Sequence, residues 1–502
     1  MDHNELRALF LGFFEKKKHK SVTSSPVIPY QDPTLMFTNA GMNQFKEVLA
    51  GNETRSYNRA ASVQKCIRVS GKHNDFEIVG FDGSHHTFFE MLGNWSFGDY
   101  YKKEAIEWAW EFLTGDLKLD KKKLAVSIYK GDEESYDIWK NVIKIPKERI
   151  VRLGDIENGD EENFWSMGDT GPCGFCTEIH YNESGKEDKH ISNEILEKNY
   201  VELWNLVFME FYRDANGKLT PLKNKNVDTG MGFERLYAII QNKRSNYHTD
   251  LFTPLMDQLE KLSGKKYGSL ETSFQVIADH IRALTFAIGD GGHFSNEGRG
   301  YVLRKILRRA SRHSKKIGIE KPVLYQLVDT VIKTMGKFYT DLEPKKENIK
   351  KFIRIEEEKF LTTLDKGLDQ LAGIIKKIKK SKQKIISGED VFNLYDRYGF
   401  PLDITKEIAR ENKLQIDESR FNTLMNDQKE RGRMSAEDEK KLFDMEAISR
   451  KLAKLPSSEF LGYEKLNCND SILSIIQDNS PQDVIDNNTA EPFALILHHT
   501  PF

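Results

Sequence analysis

Cysteine is scarce in this chain: 4 in 502 residues give no disulfide framework, which fits a reducing, cytosolic setting. Long apolar runs are missing too. No stretch approaches the 18 or so residues a membrane span needs, and the N-terminal LRALFLGFF is followed at once by EKKKHKS, with no small-residue cleavage pattern. A surplus of either charge is also absent. With 75 basic and 77 acidic side chains the net charge is -2, so any preference for nucleic acid must be local. Neither P-loop nor dinucleotide-fingerprint spacing occurs, which removes support for a Walker-type ATPase.

What remains is a long chain able to bury several cores, with 38% hydrophobic residues. Leu6, Leu9, Phe10 and Phe13 recur at helical spacing, as do Ala105, Ile106, Ala109, Trp110 and Leu113 before Gly115. LAVSIYK (124–130), TEIHY (177–181) and VELWNLVFMEFYR (201–213) read as strands, the last followed by the turn DANGK. Residues 1–245 are therefore expected to form an α+β domain. From about 250 the 3.6-residue period dominates, through VLRKILRRASRH, VLYQLVDTVIKTM and the segment 348–380, and the lysines at 376–384 read as a solvated helix end. This predicts a helical domain over 246–455. After Pro456 short strand-like runs appear, and the abrupt end after FALILHH suggests a third, β-rich domain only begun over 456–502.

Five clusters carry chemistry. RGYVLRKILRRASRHSKK (299–316) has eight Arg or Lys and no acid, and as a helix sets Arg304, Arg308 and Arg312 one turn apart. An arginine cluster without interleaved acids favours phosphate binding over a solvated, internally paired face. RVSGKHND (68–75) places Arg68, Lys72 and His73 on a glycine turn, where a guanidinium fork can take two phosphate oxygens and a nearby cation can neutralise pyrophosphate. NVDTGMGFERL (226–236) sets Asp228 beside a glycine turn leading to Arg235; the acid suits an ammonium group and the arginine a phosphate. GDTGPCGFCTEIH (168–180) holds Cys173 and Cys176 in a CxxC, readable as a tight turn lining a pocket, a partial zinc site or a redox pair. Finally HHTFFEMLGNWSFGDYYK (85–102) is open to a metal site, a proton shuttle or a shelf for a flat ligand; adjacent strand residues face opposite ways, so the histidine pair is a poor metal site.

These segments, in order with SSPVIPYQDPTLMFTNAGMNQFK before them and SNEGRGYVLRKILRRASRH and LYDRYGFPLDIT after, resemble the alanyl-tRNA synthetases, class II aminoacyl-tRNA synthetases of bacterial type, over essentially the whole chain. The resemblance implies an antiparallel sheet flanked by helices, a helical tRNA-recognition domain and the start of a β-barrel. It implies a cytoplasmic enzyme that uses ATP and Mg²⁺ to join L-alanine to tRNA(Ala) through an alanyl-adenylate, recognising the acceptor-stem G·U pair. Arg68 would hold the α-phosphate of ATP and Arg235 the γ-phosphate side, with His73 and the wall Phe88, Phe89, Glu90 and Met91 completing the ATP site. Asp228 would hold the alanine ammonium, Trp165 and Val207 would close the methyl pocket, and Asn205 and Gly230 lie beside them. Asn296 and Asp396 would read the G·U pair, helped by Arg299, Arg304, Arg308 and Arg312. No membrane contact and no metal ligand are implied; the family's zinc-bearing editing domain and oligomerisation region have no counterpart here, so a monomer that misactivates glycine and serine is expected. FDGSHH lacks an arginine before its histidines, and Phe175 stands where proline is expected. Two rival classes are an RNA-binding protein without chemistry, disfavoured by Arg68, Asp228 and Arg235, and a ligase for a non-RNA acceptor, disfavoured by the basic stripe and Asn296.

Overall fold

The computed structural model describes residues 1–29, 35–70, 73–166, 168, 170–381 and 383–441, then 456, 458–461, 467, 469–477, 480–482 and 494–500. The chain forms two compact units, Met1–Asp365 and Lys366–Phe502.

The first unit opens with helix α1 (His3–Lys16), started by a capping box in which Asp2 accepts from the amides of Asn4 and Glu5. Its apolar stripe, Leu6, Phe10, Phe13 and Phe14, is fully buried. Nine strands then build one sheet: β1 (Lys20–Ser21), β2 (Arg59–Ile67), β3 (Phe88–Phe97), β4 (Leu124–Tyr129), β5 (Ile150–Leu153), β6 (Phe164–Ser166), β7 (Gly171–Asn182), β8 (Tyr200–Arg213) and β9 (Leu219–Gly232). Their spatial order is β1-β2-β3-β9-β8-β7-β4-β5, with β6 pairing β7. The pairs β1/β2 and β4/β5 are parallel and the rest antiparallel, so the α+β expectation holds. The predicted strands at 124–130 and 201–213 are present. The CxxC segment is different: it is part of the 12-residue strand β7, not a turn.

Register aligns one row across the centre of the sheet, Ala60, Trp95, Asp228, Val207 and Cys176. Since side chains alternate along a strand, these residues share a face, and four of them pack in one apolar cluster with Met42 and Phe45. A β-carbon on Gly174 would lie 1.9 Å from the Phe208 carbonyl oxygen, so only glycine lets β7 approach the irregularity in β8 after Met209.

The opposite face is covered by helices. α2 (Lys102–Glu111), α3 (Phe233–Ile240), α4 (Glu271–Gly289) and α5 (Gly298–Lys316) follow in the chain. α1 is tied to the sheet by Arg7, whose guanidinium donates two bonds to Glu90, at 2.7 and 2.6 Å, with both side chains fully buried. From α4, Arg282 pairs with Glu234 at 2.6 Å, Phe286 stacks on Phe88 at 4.2 Å, and Asp279 accepts the Thr87 amide at the entrance to β3. The long helix expected over 348–380 is α6 (Lys346–Lys380).

In the second unit, α7 (Gly388–Tyr398) is capped by Ser387 and precedes a helix at Glu418–Lys441. Toward the end of the chain, Ile472–Gln477 pairs with Ser480–Gln482 and Ala494–Leu497, and Glu459–Phe460 runs parallel to His499–Thr500.

Candidate active site

A cavity of about 290 Å³ opens on the sheet face that carries the Trp95–Asp228–Val207 row. It gathers residues far apart in sequence, among them Arg68, Phe89, Met91, Trp165, Asn205, Val207, Asp228, Gly230 and Arg235.

Asp228 sits at its floor, 6% exposed. The Trp95 indole donates to its carboxylate at 2.5 Å, and burial still pushes the carboxyl pKa up to about 7. One neutral donor cannot offset the desolvation of a full negative charge, so this group is primed for a cation. Trp95 is itself wedged: a β-carbon at Gly93 would come within 2.4 Å of its ring, and one at Gly41 within 2.7 Å. Beside Asp228, the Asn205 amide donates to Glu178 at 2.9 Å, while its Oδ1 is buried without a hydrogen-bond partner among the described residues. An unfilled acceptor next to a buried carboxylate suits a ligand that brings N–H donors.

Two guanidinium groups also line the cavity. Arg68 donates to the Asn39 carbonyl at 3.1 Å and lies 5.1 Å from the Phe89 ring centre. Arg235, on α3, donates to the Glu202 carbonyl at 3.1 Å, with its carboxylate at 3.6 Å. Glu202 was not anticipated. Burial first, and then the neighbouring Glu178 charge, raise its pKa. Glu202 lines the cavity, Glu178 stands behind Asn205 on the adjacent strand, and carboxylate oxygens are the donor type Mg²⁺ takes; strand alternation in TEIHY and VELW carried the only hint of them.

The wall expected from Phe88 to Met91 is corrected by the same alternation. Phe89 and Met91 line the cavity, whereas Phe88 and Glu90 point to the helical face, one stacked on Phe286 and the other bound to Arg7 and Tyr339. Met91 lies against Gly230, where a β-carbon would approach its sulfur to 2.8 Å. His85 and His86 reach the rim, but His85 bonds Asp82, and the buried His86 is held between Asp279 at 3.2 Å and Asn246 at 2.9 Å. His73 begins a short strand and Lys72 lies outside the described residues, as does the His73 side chain.

The cysteines do not cooperate. Three residues apart on β7 they face opposite sides, Cys173 packing with Tyr129 and Phe164 and Cys176 with Trp95 and Val207. Burial raises both thiol pKa values, Cys173 to about 11, so neither a metal nor a redox pair is built here.

The basic stripe on α5 is largely neutralised from within. Arg304 pairs with Glu356 at 2.8 Å and bonds Asn296; Lys315 pairs with Asp365; Arg309 donates to the Phe76 and Val79 carbonyls; Arg312 is 3% exposed. Arg308 lies half-buried over Phe360, and Arg299 donates to the carbonyls of Leu35 and Met36. The compensating acids are on α6, distant in sequence, which is why a local reading counted none. Asn296 and Asp396 are both exposed, Asp396 accepting from Gln428 on the second unit.

The family model for tRNA synthetases class II (A) matches residues 5–502. An alanine–tRNA ligase of Chlorobium chlorochromatii (strain CaD3) is 46% identical over all of this chain and 55% of its own length. One from Chlorobium phaeobacteroides (strain DSM 266 / SMG 266 / 2430) is 48% identical over 93% of this chain and 52% of its own. A putative aspartyl-tRNA synthetase from Leishmania major Friedlin superposes at a TM-score of 0.27 and 13% identity, over 50% of this chain and 63% of its own, too remotely to carry an argument. The chain thus spans about half the length of the curated relatives it matches. On the family match, this chain belongs to the class II (A) tRNA synthetases.

Proposed function

We propose that this chain activates L-alanine with ATP and transfers it to the acceptor end of tRNA(Ala). The observation that carries this reading is Asp228, a buried carboxylate with one neutral hydrogen bond and a pKa raised to about 7, at the floor of a cavity that also holds two guanidinium groups. An amino-acid ammonium supplies the missing positive charge, and its remaining N–H groups meet Asn205 Oδ1. The alanine methyl then faces Trp165 and Val207. With the amino acid so held, its carboxylate oxygen attacks the α-phosphorus of ATP; the bond to the bridging oxygen breaks and pyrophosphate leaves. Arg68 steadies the α-phosphate, Arg235 the γ-phosphate side, and Phe89 and Met91 flank the adenine. Glu178 and Glu202 would hold Mg²⁺, which neutralises phosphate charge when bound. In the second step a hydroxyl of the terminal adenosine attacks the adenylate carbonyl and AMP departs. No side-chain nucleophile is required; orientation and charge compensation lower the barrier.

On the RNA side, Asn296 and Asp396 read the G·U pair from the shallow minor groove, while Arg299, Arg304 and Arg308 meet phosphates. Arg312 supports the helix from inside. The working division is catalysis over 1–245, tRNA recognition over 246–455 and a β-barrel beginning at 456, in a cytoplasmic, monomeric chain. Pyrophosphate exchange measured with each amino acid tests the reading: alanine gives the highest kcat/KM, and an active preparation that fails with alanine refutes it. Serine gives measurable exchange, since its hydroxyl can donate to Asn205 Oδ1, and glycine is disfavoured by only about 1 to 3 kcal/mol. Asn296→Ala and Asp396→Ala each lose about 1 to 3 kcal/mol of discrimination between G·U and G·C stems in aminoacylation assays.

A further inference from the structure

We propose that Asp470, His498 and His499 form a binding site for a divalent transition-metal ion of the zinc class. None of the three lines the cavity described above. One ligand atom from each lies within 4.8 Å of the others, the one such group of three or more found among the described residues. The geometry is specific. His498 Nδ1 stands 3.1 Å from His499 Nδ1, which stands 3.1 Å from Asp470 Oδ1. Donors about 2.0 to 2.1 Å from a tetrahedral ion are separated from each other by about 3.3 Å, so these two spacings match edges of a coordination tetrahedron, and the third, within 4.8 Å, closes by a rotation of the His498 ring.

A second, independent feature points the same way. The other ring nitrogen of His499, Nε2, lies 3.5 Å from the Glu459 carboxylate. A carboxylate behind a ligating imidazole fixes its tautomer and raises its basicity, the usual outer contact of a metal-bound histidine. The backbone holds the parts together: Glu459 is the parallel-sheet partner of His499, and the His499 amide donates to the Asp470 carboxylate, leaving Oδ1 against His499 Nδ1. His499 is 33% exposed, so an ion and a completing water can enter. Two imidazoles and one carboxylate favour Zn²⁺, Co²⁺ or Ni²⁺ over Mg²⁺ or Ca²⁺.

The test is titration of the metal-free 502-residue chain with Zn²⁺ and Co²⁺, with a Cys468→Ser variant alongside because that residue lies outside the described set. One ion per chain is expected, with the visible absorption of four-coordinate Co²⁺, unchanged by Cys468→Ser. His499→Gln and Asp470→Asn should each weaken binding at least tenfold and abolish the Zn²⁺-dependent rise in Tm, while melting like the parent chain without metal. Undiminished binding in those variants, loss of binding in Cys468→Ser, or a stoichiometry well below one would overturn the proposal. Pyrophosphate exchange should be the same with and without Zn²⁺, which separates this site from the catalytic reading.

Discussion

Asp228 binds its proton too tightly for an aspartate because the folded chain gives its charged form a single indole N–H. A cationic ligand must meet the carboxylate, so the affinity for alanine should fall about tenfold for each pH unit below about 7 and level off above it, measurable by calorimetric titration. The same residue weakens the fold at alkaline pH. Its folded pKa is raised above the unfolded value, so the stabilising proton is fully retained at low pH and lost as pH rises through about 7. The gap corresponds to as much as about 4 kcal/mol. Asp228→Asn should therefore melt higher than the parent at pH 8 while losing pyrophosphate exchange with alanine. A variant that melts lower and still exchanges would contradict both halves of that account.

At the scale of elements, β3 divides its labour by parity: Phe89, Met91 and Trp95 serve the ligand face, whereas Phe88 and Glu90 bind helices and Asn94 bonds Tyr100 and Thr229. Arg7→Met would strand the Glu90 carboxylate against its remaining partner Tyr339, and should cost about 3 to 5 kcal/mol by urea denaturation while sparing the KM for ATP at temperatures where the variant stays folded. On α5, Arg308→Ala should weaken RNA of any sequence and reduce the salt slope by about one, whereas Arg312→Ala should mainly lower Tm. Much of this scale was legible in the chain itself. Strands 124–130 and 201–213 and the helices at 6–13 and 348–380 announced themselves through period. Arg68, Asp228 and Arg235 were named from their motifs, Trp165, Asn205 and Val207 only through the family resemblance, and all six line the cavity. Two of the misreadings were decided by partners distant in sequence and the third by the local geometry of a strand. Glu356 and Asp365 neutralise α5 from another helix, Phe286 and Arg7 claim Phe88 and Glu90 for the opposite face, and strand geometry separates Cys173 from Cys176.

For the molecule as a whole, Asp228 and Glu357 should make stability decline from about pH 5 to about pH 8 and level off above. Glu357 adds to the Asp228 effect: although the Val323 and Leu324 amides donate to it, burial pushes its pKa up to about 8. Both groups are held protonated in the fold beyond the pH at which they would ionise unfolded, so the folded chain loses their contribution as pH climbs through about 7 and then 8. The double variant Asp228→Asn/Glu357→Gln should flatten the Tm profile over this range, as followed by circular dichroism. The order of the strands has a further consequence, in time. β3 ends at Phe97, yet the neighbour that completes its ladder, β9, begins only at Leu219, after five other strands have been made. At about 5 to 20 residues per second a ribosome needs roughly 10 seconds to cover that distance. Throughout that interval β3 presents one unpaired edge to the cell, and nascent chains of this family member should depend on a chaperone to shield it until β9 emerges.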